Sequence, residues 1–509
     1  MKIKFWVNLL LKSKTFMVVL SSFLLFLSYP KISLSPIAFV ALVPFIIILF
    51  NLKKLSEALK YGFLLGFSTY LLLLYWIYNT LQAAGVNFFI SILALILLSF
   101  ILSVEFIIIT IGGYIANIYG TTMMVFILPS IWVIVDFIKH NITKHIVYFP
   151  WFDISYSQWN NPFILNLAHF GQSYTITFLI VLVNCIISSI ILSKGRREKI
   201  KKFIAAFALI AASVGFGWIK YNDISNLSNK SEKSIKVAII QPSIDFYAKW
   251  DESYYDYIKM RIEALIDNIN REKADLIIWP ENALFGWIDD PDVFEWLCSN
   301  IKKSRTYHIV GSISKSDRKY VSAYLINPDC EIVYKYNKRV LVPFGEYVPF
   351  RKFLGKYINV ITSLGEFEEG PSQQKPFNFK NFKLGVSICY ETIFKWLFYE
   401  DEDIDFLVNI TNDGWYLNTS APYQHFSAAI MRSVENGRTF IRSANNGISA
   451  IIEPNGKISS MLKLNDYGYI ATEIKPIKLK RQNDIEKNIF FYISVMIFSA
   501  FILAMIFRR

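Results

Sequence analysis

A buried strand that ends in a thiol is predicted at Lys383-Leu384-Gly385-Val386-Ser387-Ile388-Cys389-Tyr390-Glu391-Thr392. Apolar and polar side chains alternate up to Ile388, which is typical of a strand, and a helical pattern begins after Cys389. Enzymes of the α/β class place nucleophiles at such a turn, because the N–H groups of the following helix point at a developing oxyanion. The alternative is a structural thiol, since free cysteine is among the most buried residue types.

Composition indicates a membrane protein. The chain has 509 residues, of which 54% are hydrophobic, and a net charge of +13; it is too long for one ordinary domain and too apolar for two soluble ones. The basic residues lie in short patches beside apolar runs and in no duplex-reading motif, so no nucleic-acid partner is expected. Five histidines and four cysteines without Cys-x-x-Cys spacing give no support for a metal site, and pairing of Cys298 with Cys330 is left open.

Eight apolar segments approach the length that spans a bilayer. They are residues 15–29, 36–50, 61–81, 87–115, 121–138, 174–192, 203–219 and 489–507. The first could be a signal peptide, but no small-residue cleavage site follows it, so it is interpreted as a helix. Glu105 falls inside the fourth segment and should face protein or water, in a functional role or a structural hydrogen bond. We therefore predict a membrane domain at 1–220, a soluble catalytic domain at 221–485 and a final helix at 486–509.

The basic clusters predict the orientation. They lie before the first span, at 53–60, at 194–202 and at the C-terminus, and with eight spans all four fall on one side, which the positive-inside rule makes the cytoplasm. The soluble stretch is therefore expected in the periplasm, attached to the inner membrane of a bacterium. The loop at 139–165 is expected on the same outer side, and its aromatic residues either anchor the boundary or floor a lipid-binding cleft.

The soluble stretch alternates strand and helix patterns, which predicts an α/β domain with a large sheet. Asp275-Leu276-Ile277-Ile278-Trp279-Pro280-Glu281 repeats the design at Cys389, because a buried strand delivers one carboxylate at its end. A later apolar run, punctuated by proline and glycine, embeds Lys338 and Glu346. Each charge alone would be an ordinary surface residue. Together with the thiol they supply the base, the cation and the nucleophile that thiol acyl transfer requires.

These stretches resemble a known family. Trp279-Pro280-Glu281, Lys338 with Val342-Pro343-Phe344-Gly345-Glu346, and Ile388-Cys389-Tyr390-Glu391 resemble the Glu-Lys-Cys triad of the nitrilase (carbon–nitrogen hydrolase) superfamily. With the spans around them, and with Asn412-Asp413-Gly414-Trp415 and Arg442-Ser443-Ala444-Asn445-Asn446-Gly447, the whole chain resembles the apolipoprotein N-acyltransferase family. The resemblance implies a polytopic helical membrane bundle with an inserted α/β domain, a nitrilase-like α-β-β-α sandwich.

The resemblance also implies the chemistry. An acyl chain would pass from a phospholipid donor, through a thioester, to the diacylglyceryl-cysteine N-terminus of an apolipoprotein, with no cofactor. The implied base, electrostatic stabiliser and nucleophile are Glu281, Lys338 and Cys389. The implied supporting positions are Glu346, Glu391 and Tyr390. The implied substrate contacts are Trp250, Trp415, Trp151 and Lys139. Two departures concern substrate contacts: the family's usual Gly and Asn are missing after Gln241, and Lys139 stands where Arg is usual.

Two other functions are weighed against this one. A membrane-anchored nitrilase-type amidase would use the same triad with water as acceptor, but a hydrolase of soluble amides needs at most one anchor. A transporter or channel with an extracellular binding domain explains the spans and leaves the triad as coincidence.

Overall fold

The structure, a computed structural model, describes residues 13–230, 233–245, 249, 251–314, 318–349, 367–398, 404–477, 479 and 482–507. The chain divides into two compact units. One comprises Met1–Asn222 with Gln482–Arg509, and the other comprises Asp223–Arg481. We call them the membrane unit and the soluble unit.

Among the residues that the structure describes, helices make up the membrane unit, and three further α-helices lie in the soluble unit. In chain order the α-helices are α1 Lys14–Ser28, α2 Ala38–Ala41, α3 Val43–Phe50, α4 Leu55–Leu73, α5 Trp76–Ala83, α6 Phe88–Leu102, α7 Val104–Ile118, α8 Thr121–Ile142, α9 Pro162–Leu165, α10 Gln172–Leu192, α11 Arg196–Lys230, α12 Tyr255–Glu272, α13 Pro291–Ser304, α14 Ala421–Asn436, α15 Asp484–Lys487 and α16 Ile489–Phe507.

Among the described residues, five helical stretches are long and apolar enough to cross a membrane: Phe88–Ile118, Thr122–Ile142, Gln172–Leu192, Arg196–Leu227 and Ile489–Phe507. The pair α4 and α5, bent by 46°, makes a sixth if it counts as one span. The first two predicted spans are apolar helices, Lys14–Ser28 and Ser35–Phe50. Each reaches only about 23 Å, against a hydrocarbon core of about 30 Å. The predicted count of eight is therefore met only if these two short helices also cross.

Small residues let the helices of the membrane unit approach closely. A Cβ at Gly62 would lie 2.8 Å from Thr110 Oγ1, and one at Gly66 would lie 2.8 Å from Ser103 Cα. Both glycines are on α4, and both face the α6–α7 stretch. In lipid there is no hydrophobic driving force between helices, so van der Waals packing at close backbone approach stabilises their association instead.

In the described part of the soluble unit, the strands form two six-stranded sheets. Its strands are β1 Ile235–Gln241, β2 Leu276–Ile278, β3 Tyr307–Ser314, β4 Tyr320–Ile326, β5 Ile332–Asn337, β6 Phe377–Phe379, β7 Phe382–Ile388, β8 Phe406–Thr411, β9 Thr439–Ala444, β10 Ser449–Ile452, β11 Ile458–Leu462 and β12 Gly468–Ile474. The strand orders are β12-β1-β2-β3-β4-β5 and β11-β10-β9-β8-β7-β6. The pairs β1–β2, β2–β3, β7–β8 and β8–β9 are parallel, and the other neighbours are antiparallel.

The two sheets pack face to face with helices outside them. Apolar side chains of both sheets, Ile239 and Ile278 on one and Ile388 and Val408 on the other, share one buried core. The opposite face of the first sheet packs against α12 and α13 in a second core, and α14 packs on β9 of the second sheet. Alternate residues of a strand point to opposite faces of its sheet. Because each face packs against another layer, apolar residues at successive positions of these strands are buried. The predicted α-β-β-α sandwich is confirmed.

A disulfide joins Cys298 on α13 to Cys330 in the turn between β4 and β5, with the two Cα atoms 5.5 Å apart. This answers the question that the sequence left open. Cys185 and Cys389 are free thiols.

Candidate active site

Cys389 lies at the predicted turn. It is the first residue of a 3₁₀ helix, Cys389–Ile393, directly after β7, and its φ is +50°. Residues other than glycine adopt this left-handed conformation only where their surroundings hold it, and such positions are frequent at active sites. The side chain is buried.

The carboxylate of Glu391 holds this turn. It accepts hydrogen bonds from Ile388 N at 2.7 Å, Arg339 N at 2.5 Å and Val340 N at 3.2 Å, and from Tyr336 Oη at 3.0 Å. Glu391 thereby ties the Cys389 turn to the segment that follows β5. Burial raises the pKa of Glu391 to about 7, against the opposing effect of these hydrogen bonds.

Lys338 follows β5 and is held between two carboxylates. Its backbone N–H donates to Val321 O at 2.8 Å, and its Nζ lies 3.1 Å from Glu281 Oε1 and 2.6 Å from Glu346 Oε1. The second oxygen of Glu281 accepts from Asn412 N at 2.9 Å. The structure therefore brings Glu281, Lys338 and Glu346 together, although 65 residues separate the first of them from the last.

Electrostatics keep the lysine charged and the thiol protonated at rest. Burial alone would lower the pKa of Lys338, but Glu281 and Glu346 raise it well above its usual value. Burial raises the pKa of Glu346, and Lys338 opposes this. Burial and Glu281 raise the pKa of Cys389, with Lys338 opposing them. A reaction at Cys389 must therefore include removal of the thiol proton as the bond forms.

Three other predicted site positions, all aromatic, belong to the soluble unit. Tyr390 is buried, and its ring packs edge-on against Phe394 with the centroids 4.9 Å apart. Trp415 lies in the 3₁₀ helix Asp413–Tyr416 and is half-buried. Trp250 lies outside the described residues.

Lys139 and Trp151 belong to the membrane unit. Lys139 Nζ lies 2.9 Å from Asp136, 3.3 Å from Asp153 and 3.6 Å from Glu105, and all four side chains are buried. Its charge is therefore balanced within the protein, and the substrate contact that the resemblance implies for Lys139 stays a prediction. The ring of Trp151 is buried among other aromatic side chains.

Glu105 faces protein, as expected for an intramembrane carboxylate. It accepts hydrogen bonds from Tyr70 Oη at 2.9 Å and from Tyr148 Oη. Of its two predicted roles, the structural hydrogen bond is the one that the structure displays.

Sequence reasoning missed a lysine and a buried polar network. Lys249 is buried and donates to Asn282 O, next to Glu281, and burial lowers its pKa to about 7. His425 on α14 lies beside the Cys389 carbonyl, where Asp413 and Arg442 pair with it. A histidine on an amphipathic helix carries no local signal that could have found it. Within the residues that the structure describes, no group of three or more His, Cys, Asp or Glu side chains could hold a metal ion.

A two-sheet sandwich with a buried Glu-Lys-Glu cluster and a strained cysteine turn is the arrangement of a carbon–nitrogen hydrolase. The Carbon-nitrogen hydrolase family model matches residues 236–481, and the Apolipoprotein N-acyltransferase N-terminal domain model matches residues 21–186. The apolipoprotein N-acyltransferase of Rickettsia prowazekii is 30% identical over 425 residues, which are 81% of this chain and 82% of that protein. The enzyme so named from Geobacter metallireducens is 29% identical over 444 residues, 84% of this chain and 82% of that one.

Among solved structures, Saccharomyces cerevisiae Nit3, a member of branch 10 of the nitrilase superfamily, is 19% identical. It has a TM-score of 0.36 and covers 48% of this chain and 92% of its own. By its two domain matches and its relatives, the chain belongs to the apolipoprotein N-acyltransferase family.

Proposed function

We propose that this chain is an acyltransferase that N-acylates the diacylglyceryl-cysteine N-terminus of apolipoproteins, with a phospholipid as donor and a thioester on Cys389 as intermediate. The observation that carries the proposal is the buried Glu281–Lys338–Glu346 cluster, whose Glu281 and Lys338 lie close enough to Cys389 to shift the pKa of its thiol. Family membership supplies the substrate class, because the relatives are named apolipoprotein N-acyltransferases.

In the first half-reaction, Glu281 takes the thiol proton as Cys389 Sγ attacks the carbonyl carbon of the phospholipid ester. The new C–S bond places the negative charge on the carbonyl oxygen, where Lys338 and the N–H groups of the 3₁₀ turn stabilise it. The ester C–O bond then breaks, and Glu281 returns its proton to the departing lysophospholipid oxygen.

In the second half-reaction, the α-amine of the lipoprotein cysteine attacks the thioester and loses a proton to Glu281. The C–S bond breaks, an amide forms, and Cys389 regains its proton. Burial of the site serves both halves, because water that reached the thioester would waste the acyl chain. We propose Trp250 and Trp415, in the soluble unit, and Trp151 and Lys139, in the membrane unit, as contacts for the lipid substrates.

We propose that the soluble unit is the catalytic domain and faces the periplasm of a bacterium, from a multi-pass anchor in the inner membrane. The basic clusters support this orientation if eight segments span. The Cys298–Cys330 bridge supports it independently of any span count, because disulfides persist in the periplasm and are rare in the cytosol. A reporter active only in the cytoplasm, fused after Ile219, should be inactive. Its activity would refute this orientation.

An acyl trap tests the reaction. Incubation of the intact protein with a phospholipid carrying a labelled acyl chain, and no acceptor, should leave the label on the peptide that contains Cys389. A peptide that begins with diacylglyceryl-cysteine should then discharge the label, and water should do so only slowly. Cys389→Ala is the control and should take no label. Rapid discharge by water would favour the amidase, and a folded protein with no adduct would refute both enzymes and leave the transporter.

A further inference from the structure

A histidine from α14 contacts the backbone of the proposed nucleophile. His425 Nε2 lies 3.0 Å from the carbonyl oxygen of Cys389, and both residues are buried. A carbonyl oxygen can only accept, so Nε2 carries the proton and donates it. This contact is to the backbone, and it is separate from the Glu281–Lys338–Glu346 cluster described above.

A buried polar network fixes the ring of His425. Its Nδ1 lies 2.9 Å from Asp413 Oδ1 and 3.0 Å from Arg442 Nη2, and the same Arg442 nitrogen lies 2.9 Å from Asp413 Oδ2. Although burial raises it, Arg442 and His425 together bring the pKa of Asp413 down to about 2. Asp413 is therefore ionised and pairs with Arg442.

The proton on Nε2 does not depend on the charge of the ring. In a neutral imidazole Nδ1 accepts from Arg442, and in an imidazolium Nδ1 donates to Asp413; Nε2 keeps its hydrogen in both states. Burial, reinforced by Arg442, lowers the pKa of His425, which favours the neutral ring.

The network is anchored across three neighbouring strands. Ser387 on β7, Asn409 on β8 and Arg442 on β9 are register partners. Arg442 Nη1 donates to Asn409 Oδ1 at 2.6 Å, and Asn409 Nδ2 donates to Ser387 Oγ at 3.1 Å. Because Ser387 lies two residues before Cys389, these three hydrogen-bonded side chains connect Arg442, which contacts His425, to the strand that carries the thiol.

We propose that His425 is a positioning residue, which holds the Cys389–Tyr390 peptide so that the N–H of Tyr390 faces the oxyanion of the acyl group on Cys389. The C=O and N–H of one trans peptide point in opposite directions, so a donor that fixes the carbonyl also aims the N–H. Glu391 holds the Ser387–Ile388 peptide through Ile388 N, and His425 holds the Cys389–Tyr390 peptide, so the backbone is held on both sides of Cys389. The two contacts together maintain the left-handed conformation of Cys389, and an N–H aimed in advance needs no reorganisation when charge develops.

This inference rests on the proposed function, and two rates measured on the intact protein test it. One is acyl-enzyme formation from a labelled phospholipid, which passes through an oxyanion. The other is alkylation of Cys389 by iodoacetamide, which displaces iodide and forms no oxyanion. In His425→Leu, the acylation rate should fall at least about tenfold, but less than the 10²–10³-fold that is typical of removing an oxyanion donor outright. The alkylation rate should stay within about twofold of the wild-type rate. His425→Gln, whose amide N–H can replace Nε2–H, should recover most of the acylation.

The matched control is His308→Leu, which removes the other histidine of the soluble unit. His308 is buried and accepts from Trp279 Nε1 at 2.8 Å, and its loss should leave the ratio of the two rates unchanged. Normal acylation in His425→Leu would overturn the inference. A parallel fall of both rates would also overturn it, in favour of a merely structural role. A wild-type protein that takes no acyl label would overturn the proposed function itself, and this inference with it.

Discussion

Replacing Lys338 with methionine should leave two buried carboxylates without their shared cation. Glu281 and Glu346 each lie within hydrogen-bonding distance of Lys338 Nζ, so their nearest oxygens are at most about 6 Å apart. At that distance, with an effective dielectric constant of about 20, two negative charges repel by roughly 2.8 kcal/mol, or about two pKa units. Because burial also raises the pKa of Glu346, Lys338→Met should keep a proton on one of the two carboxyls up to roughly neutral pH.

The pH dependence of stability has a definite sign. Between the ordinary carboxyl pKa and the raised one, the folded variant holds a proton that the unfolded chain has lost, so its stability falls as pH rises through that window. Breaking a buried ion pair costs about 3–5 kcal/mol. At pH 8 we therefore expect an apparent Tm roughly 10 °C below that of the wild-type protein, and at pH 5.5 a clearly smaller difference.

Thermal unfolding of the intact chain in detergent, from pH 5.5 to pH 8, measures this effect. Lys395→Met is the matched control: Lys395 is also buried and lies 3.9 Å from Glu435, but Glu435 keeps Arg432 at 3.0 Å. Its Tm difference from the wild type should not depend on pH. Parallel curves for Lys338→Met and the wild type would refute the shared-cation reasoning. Turnover of Lys338→Met and of Lys338→Arg should fall at least about 100-fold. Methionine carries no charge to stabilise the oxyanion, and a planar guanidinium does not replace a compact ammonium.

Three further outcomes are expected. Glu391→Gln should cost about 1–3 kcal/mol in unfolding free energy and slow acyl-enzyme formation. The NH₂ of the glutamine must face one of the backbone N–H groups from which Glu391 accepts. Unchanged stability would contradict the role of Glu391 in holding the Cys389 turn. Gly447→Ala should destabilise by about 1–3 kcal/mol, since a Cβ there would lie 2.2 Å from Asp413 Oδ2, and calorimetry or denaturant unfolding would measure it. Cys298→Ala should lose about 3–4 kcal/mol, the loop-closure value for a sequence separation of 32. Maleimide labelling of the wild-type chain in cells should find Cys298 and Cys330 unreactive. Free thiols at these positions would contradict the placement of the soluble unit in the oxidising periplasm.

The sequence by itself determined where the reactive side chains leave their strands. The strand before Cys389 shows local alternation, the strand before Glu281 is a short continuous apolar run, and Pro280 marks the end of the second. The long apolar helices were equally predictable, because bilayer thickness requires a run of about 20 apolar residues. The two segments that fell short of this length, 15–29 and 36–50, are the ones for which crossing stays a prediction.

Only the tertiary structure decided which side chains meet. Lys338 bonds Glu281 and Glu346, Cys298 pairs with Cys330, and His425 reaches the carbonyl of Cys389, 36 residues away. Each of these contacts depends on the packing of separate elements at distances of about 3 Å, and residue spacing along one element carries no information about that.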